Sequence, residues 1–191
     1  GWSVQKVHDI AVETMHTVVT PTIYAEARDL IAVHREKGHE VVIISASASV
    51  LVRPIAEELG IEHVVATELA EEDGRFTGEI LHYCKGPAKA EALAERARKL
   101  GVDPDASYAY SDSATDIPML EQVGHPVAVN PDRRLKKYAA EQGWEVRTFK
   151  DPVPLFSAPS AREVGIGSAV VAGLAALVLA GVWGAQARAK D

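Results

Sequence analysis

Residues 107–120 read SYAYSDSATDIPML, an apolar and aromatic run (Tyr108, Ala109, Tyr110) that delivers two aspartates, Asp112 and Asp116, at its far end. The pattern predicts a strand emptying carboxylates into a loop, and open α/β sheets bind ligands beyond the carboxyl ends of their strands. A helix start follows: Asp116 stands at the cap position, Pro118 falls in the first turn where a missing N–H costs little, and Met119, Leu120 and Val123 mark an inward face before Gly124. Two oxygen ligands facing one crevice suit a hard cation such as Mg²⁺, which takes one or two carboxylates and completes its octahedron with water and phosphate. The plainer alternative is that both aspartates are ordinary helix caps.

Two other positions carry chemistry of the same kind. Ser45 follows the β-branched run Val41-Val42-Ile43-Ile44, and Lys89 lies in the first turn of a helix opened by Gly86-Pro87. A hydroxyl, an ammonium and two carboxylates converging on one crevice match what phosphoryl chemistry requires: oxygen holders, charge compensation and a metal site. Taken singly, Ser45 reads equally well as a turn residue, and Lys85 competes with Lys89.

The elements that must position these groups alternate in type. Helical spacing runs from Trp2 to Thr17 (Val4, Val7, Ile10, Ala11, Met15) without a clear start signal, as if the helical region began upstream. Thr20-Pro21 opens a helix with Ile23, Ala27, Leu30, Ile31 and His34 on one face and Gly38 at its end. Buried strands follow at residues 41–44 and 63–66, separated by a helix over 50–59. Asp73-Gly74 predicts a polar hairpin with a primed turn. The helix after Pro87 buries Ala90, Leu93, Ala94, Ala97 and Leu100 and stops at Gly101. Strand 127–129, a helix from Pro131-Asp132 and strand 144–149 complete the order. Strands alternating with helices predict an α/β fold with a doubly wound parallel sheet.

The 191 residues are 47% apolar with net charge −7, enough for one domain and an appendage, and the acidic balance argues against nucleic acid as a partner. One cysteine, Cys84, precludes an intrachain disulfide and makes a reducing compartment the default. The seven histidines fall into no metal-ligand spacing. The first residue is Gly, and no charged-then-apolar leader follows, so a fragment of a longer product is expected. Residues 151–164 are a Pro/Ser linker, 165–185 are uncharged, and 186–191 form a short tail. As a helix the uncharged run spans ~30 Å, with Trp183 near its end and Arg188 and Lys190 just beyond. A single C-terminal transmembrane anchor is therefore expected.

Taken together the motifs resemble the haloacid dehalogenase superfamily of phosphohydrolases, in its phosphoserine-phosphatase-like subclass IB. The resemblance is carried by VVIISAS around Ser45, DGRFTGEI at the hairpin, CKGPAKAEAL, and YSDSATDIPML followed by VAVNPD. It implies a Rossmann-like core over residues 20–150 and a remnant of a helical cap over 1–19. It assigns Ser45 to the second motif, with Ala46 beside it at the phosphate. Lys89 takes the third, because its distances to Asp112 and Gly101 fit the family's helix length better than those of Lys85. Asp112 becomes a direct Mg²⁺ ligand and Asp116 a support for the metal and its waters. Ala46 stands where phosphoserine phosphatases usually carry Gly, and Thr115 where they usually carry Asn, so the substrate class is a small phosphomonoester of unnamed identity.

The family's first motif, Asp-x-Asp-x-Thr on a central strand, supplies the nucleophile for an aspartyl-phosphate intermediate. It occurs nowhere in these residues. In the resembling fold that strand lies between the one ending in Ser45 and the one preceding Asp112. Either a gap or a forced pairing is expected there, with residues 2–19 packed loosely. A receiver domain uses similar groups, but its aspartates precede its hydroxyl and lysine, opposite to the order here. The remaining alternative is a non-catalytic, membrane-tethered module that binds phosphate or metal. Oligomeric state is not legible in the sequence. A cytoplasmic catalytic part is the expected orientation.

Overall fold

A computed structural model describes residues 1–14 and 23–150. The elements run α1 (Val4–Thr14), α2 (Ala25–Glu36), β1 (Val42–Ala48), α3 (Ser49–Glu58), β2 (His63–Glu72), β3 (Arg75–His82), α4 (Pro87–Leu100), β4 (Tyr108–Ser111), α5 (Ile117–Leu120), β5 (His125–Val129), α6 (Arg133–Gln142) and β6 (Glu145–Arg147). The fold is α/β with parallel strand pairing, as the alternation predicts. The strands do not form one continuous sheet, however. They form two three-stranded sheets, ordered β1-β2-β3 and β4-β5-β6.

In the first sheet β1 and β2 pair in parallel, with Val42 opposite His63 and Ile44 opposite Val65. The register then slips, so that Ala48 meets Thr67 and the stretch from Ser45 to Ser47 bulges out of the ladder. The strand thus continues past Ser45, where the small-residue cluster predicts its end. β2 turns back into β3 through Asp73 and Gly74, at φ 49° and 71°. Two positive φ values are what a primed hairpin turn needs. β3 is almost wholly exposed, as expected of a polar projecting hairpin. Residues 2–4 hold onto this hairpin by backbone bonds, Val4 N–H to Gly74 at 2.9 Å and Phe76 N–H to the Trp2 carbonyl at 3.0 Å. Ala11 is the one buried residue of α1, a modest apolar anchor.

The second sheet is all parallel, with Tyr110 opposite Val127 and Val127 opposite Glu145. Its core joins Ala90 of α4, Ala109 of β4, Met119 and Leu120 of α5, Val123, Ala128 of β5, and Leu135 and Ala139 of α6. Leu120 and Leu135 are fully buried; each contributes about 1.5–3 kcal/mol against exposure. Ile44 of β1 and Leu93 of α4 pack on the same cluster, so the core also reaches the first sheet.

Between the sheets β1 and β4 do not pair. Their edges face a cavity of about 500 Å³ lined by Val42, Ile44, Leu93, Tyr108, Tyr110 and Met119 among others. Of the two expected outcomes the structure adopts the gap.

Local boundaries depart from the sequence pattern at two helices. α2 begins at Ala25 behind Tyr24; the expected start at Thr20-Pro21 lies outside the described residues. Its predicted face, Ile23, Ala27, Leu30, Ile31 and His34, does turn inward but is only half-buried. The helix expected after Asp116 is a 3-10 turn, Ala114–Asp116, running into the single α-turn of α5. Among the described residues no helix is long and apolar enough to cross a membrane. The expected linker (151–164), anchor (165–185) and tail (186–191) all lie outside the described residues.

Candidate active site

The centre of the site is an ion pair. Lys89, one turn into α4, places its Nζ 2.7 Å from Oδ2 of Asp116, and the two side chains are only 12% and 7% exposed. The local sequence explains the placement: Gly86 at φ 58° and Pro87 start the helix sharply after Cys84-Lys85, which turns Lys89 inward and leaves Lys85 exposed. Of the two lysines, Lys89 is the one brought to Asp116.

Asp116 is not an ordinary cap. It occupies the N-cap position of α5, yet its side chain makes no capping hydrogen bond. Its Oδ2 also accepts from the Ser111 hydroxyl at 2.8 Å, and Oδ1 accepts from the Thr115 hydroxyl at 3.3 Å. The capping is done by Ser113, whose hydroxyl oxygen accepts from Thr115 N–H at 3.3 Å. Both oxygens of Asp116 are thus engaged within the protein. A buried charge is tolerated only when paired and hydrogen-bonded in this way.

Asp112 is the opposite case. It is exposed, and its carboxylate has no hydrogen bond or ion pair among the described residues. Its backbone carbonyl accepts from Asp132 N–H at 2.7 Å. The Asp132 carboxylate accepts from Ala114 N–H at 2.8 Å and caps α6 through Arg134 and Leu135 N–H, each at 2.8 Å. Those donors, Ala114 first and then Leu135, hold the Asp132 carboxyl below the usual carboxylate range.

Ser45 approaches this centre through Cys84. The Cys84 side chain is wholly buried. Burial pushes its thiol up, while the nearby Lys89 charge and a hydrogen bond from the Ser45 backbone pull it down; Asp116 acts in the opposite sense. The bulge at Ser45-Ala46 and Cys84, just before α4, lie side by side. Thr67 ties them together: its hydroxyl donates to the Ala46 carbonyl at 2.8 Å and accepts from Cys84 N–H at 3.2 Å. The Ser45 hydroxyl accepts from Ser47 N–H at 3.2 Å, so it also serves its own bulge.

Of the expected site residues, Lys89 and Asp116 touch, Ser45 and Ala46 lie on the β1 bulge beside them, and Asp112 stands free at the end of β4. Cys84, Thr67, Ser111 and Asp132 belong to the same site and were not singled out by sequence. Ser111 had a signal, a hydroxyl at the last position of a strand before two acids. Cys84 and Thr67 had none, because their role depends on the pairing of β1 with β2.

The donor set here is hard oxygen: one free carboxylate, hydroxyls and backbone carbonyls. Among the described residues no group of three His, Cys, Asp or Glu side chains converges as a ready-made cage. Oxygen donors of this kind fit a cation that takes one or two carboxylates and fills its remaining positions with water and phosphate, as Mg²⁺ does.

The α/β scaffold thus brings a lysine and an aspartate into contact near the ends of its strands, with a second aspartate free beside them. The sequence pattern of the haloacid dehalogenase-like hydrolases matches residues 1–121, and the chain belongs to that family. A Mycobacterium tuberculosis protein named probable phosphatase is 48% identical over 95% of this chain and 64% of its own length. A phosphoserine phosphatase of the same species is 36% identical over 94% of this chain and 57% of its own length. The chain thus spans somewhat under two thirds of these relatives. Among solved structures, a Bordetella pertussis protein of unknown function superposes with a TM-score of 0.71 at 30% identity, covering 81% of this chain and 69% of that one.

Proposed function

We propose that the intact protein is a Mg²⁺-dependent phosphatase of the subclass IB type that hydrolyses a small phosphomonoester through an aspartyl-phosphate. The observation that carries this reading is the buried Lys89–Asp116 pair, braced by Ser111 and set beside the Ser45 bulge. In this reading Lys89 offsets the charge of the phosphate oxygens, and the Ser45 hydroxyl with the Ala46 backbone orients them. Asp116 holds the Lys89 side chain in place. Asp112 would hold Mg²⁺, whose contribution when bound is to neutralise charge on the transferring phosphoryl group. Named relatives that are phosphatases support the class of reaction.

The nucleophilic carboxylate is not among these residues. A strand entering the cavity between β1 and β4 would be hydrogen-bonded on both edges and would deliver an aspartate between Ser45 and Asp112. The uncharged run 165–185, behind its Pro/Ser linker, supports a single C-terminal membrane anchor with the catalytic part cytoplasmic. The test of the catalytic reading is hydrolysis of a generic phosphate ester by the intact protein. Asp112→Asn is expected to lower turnover by orders of magnitude and to raise the Mg²⁺ requirement. Wild-type rates in that variant would remove the metal-site assignment.

A further inference from the structure

The turn between β5 and α6 is fastened at both ends to parts of the chain distant in sequence. Asn130 sits at φ 43°, and its side chain holds Phe149 twice, accepting from the Phe149 N–H at 3.0 Å and donating to the Phe149 carbonyl at 3.1 Å. Two residues on, Asp132 reaches the other way. Its N–H donates to the Asp112 carbonyl and its Oδ2 accepts from Ala114 N–H, so one residue brackets the peptide units on either side of Ser113. Its Oδ1 is meanwhile committed to the first turn of α6. An exposed aspartate whose sole duty was to cap α6 would need Oδ1 alone.

We propose that Asp132 is a positioning residue for the metal-binding loop, fixing the peptide of Asp112 so that its free carboxylate is presented at one place. This rests on the phosphatase reading, in which Asp112 is the metal ligand. Outer residues that orient a ligand typically alter metal affinity by about 10–100-fold when removed. Asp132 has the geometry for such an effect: its N–H holds the Asp112 carbonyl and its side chain holds Ala114 N–H, the bond a substitution removes, and neither occupies the Asp112 carboxylate.

The experiment is a Mg²⁺ titration of the intact protein, read as the rise in thermal midpoint with added MgCl₂, with Asp132→Ala, Asp132→Asn and Gly143→Ala compared. Gly143 ends α6 at φ 69° with open space around it, so Ala there strains the opposite end of the same helix without touching the loop. Asp132→Ala is expected to raise the half-saturating Mg²⁺ concentration about tenfold or more. Asp132→Asn has a single side-chain oxygen for two sets of donors and is expected to fall between. Gly143→Ala is expected to lower the midpoint but keep the wild-type Mg²⁺ concentration dependence. An unchanged titration in Asp132→Ala, or an equal shift in Gly143→Ala, would overturn the inference while leaving the metal reading standing. A wild-type protein whose midpoint ignores Mg²⁺ would overturn the metal reading of Asp112 and this inference with it.

Discussion

Removing one partner of the Lys89–Asp116 pair separates a functional centre from a decorative salt bridge. An exposed pair is worth about 0–1 kcal/mol, because water screens it and two side chains lose freedom to form it. This pair is different: the side chains are 12% and 7% exposed at 2.7 Å, so either charge left alone has little water to turn to. Breaking a pair of this kind costs about 3–5 kcal/mol. Lys89→Met keeps most of the volume and leaves Asp116 with the Ser111 and Thr115 hydroxyls, which places the loss near the lower end of that range. Asp116→Asn leaves an ammonium facing a neutral amide. Against a total of ~5–15 kcal/mol, such losses are large. With a urea slope of ~1–3 kcal/mol/M, a loss of about 4 kcal/mol lowers the unfolding midpoint by roughly 1–4 M. The decisive comparison is the double variant Lys89→Met/Asp116→Asn. With both charges gone, no uncompensated ion remains, so the combined loss should fall short of the sum of the single losses by about 2 kcal/mol or more. Urea unfolding of the four proteins measures it. Additivity within ~0.5 kcal/mol, with each single loss under ~1 kcal/mol, would show a solvated pair and refute the reasoning.

Other outcomes follow from the same geometry. Ser45→Ala should raise KM for a phosphate ester roughly tenfold, the value of about one hydrogen bond of ~1.5 kcal/mol to a charged group, with steady-state kinetics as the check. His34, held by Tyr110 at 2.7 Å and His39 at 2.8 Å, is kept below its ordinary value first by burial and then by His39, Lys37 and Arg147. Between that lowered value and pH ~6.5 the unfolded chain carries a proton that the folded chain does not, so stability is full above pH ~6.5 and falls as the solution is acidified through this window. A urea-midpoint series should show that slope reduced in His34→Gln; equal slopes in the two proteins would count against it. Alkaline-carbonate washing of membranes should leave the intact protein in the pellet, and release into the supernatant would remove the anchor at residues 165–185.

Much of the scaffold was legible because its signals are local. Gly86-Pro87, Gly101, Asp73-Gly74 and Asp132 act through their own φ preferences or their own capping oxygens, and each marks a boundary near where it was read. Asp116 shows where local reading stops. Its type and position say N-cap, but Ser111 and Lys89 compete for the same oxygens, and a buried ammonium outweighs a helix cap worth about 1 kcal/mol. The competitor sits on another element, so nothing within a few residues of Asp116 announces it. The β1 bulge is the same kind of case. Ser45-Ala46-Ser47 reads as the end of a strand, but Ala48 finds Thr67, and the Thr67 hydroxyl fills the break by bonding to Ala46.

The gap between the sheets links fold and function. β1 and β4 each keep one edge paired, to β2 and to β5, and turn the other toward a cavity where neither reaches its counterpart. An open strand edge presents a row of unpaired N–H and C=O groups, so two facing edges are a ready template for another strand. Ile44 and Met119 nonetheless hold the two halves to one core, through α4 and α5, without a strand between them. The Ser45 bulge on β1 and the acids after β4 are therefore positioned by helix packing rather than by a continuous ladder. That arrangement makes the Lys89–Asp116 contact, which spans α4 and the loop after β4, the polar tie across the same boundary that the core spans with apolar side chains. On the proposed phosphatase reading the same two residues serve cohesion and chemistry, so stability and turnover are expected to fail together when either is replaced.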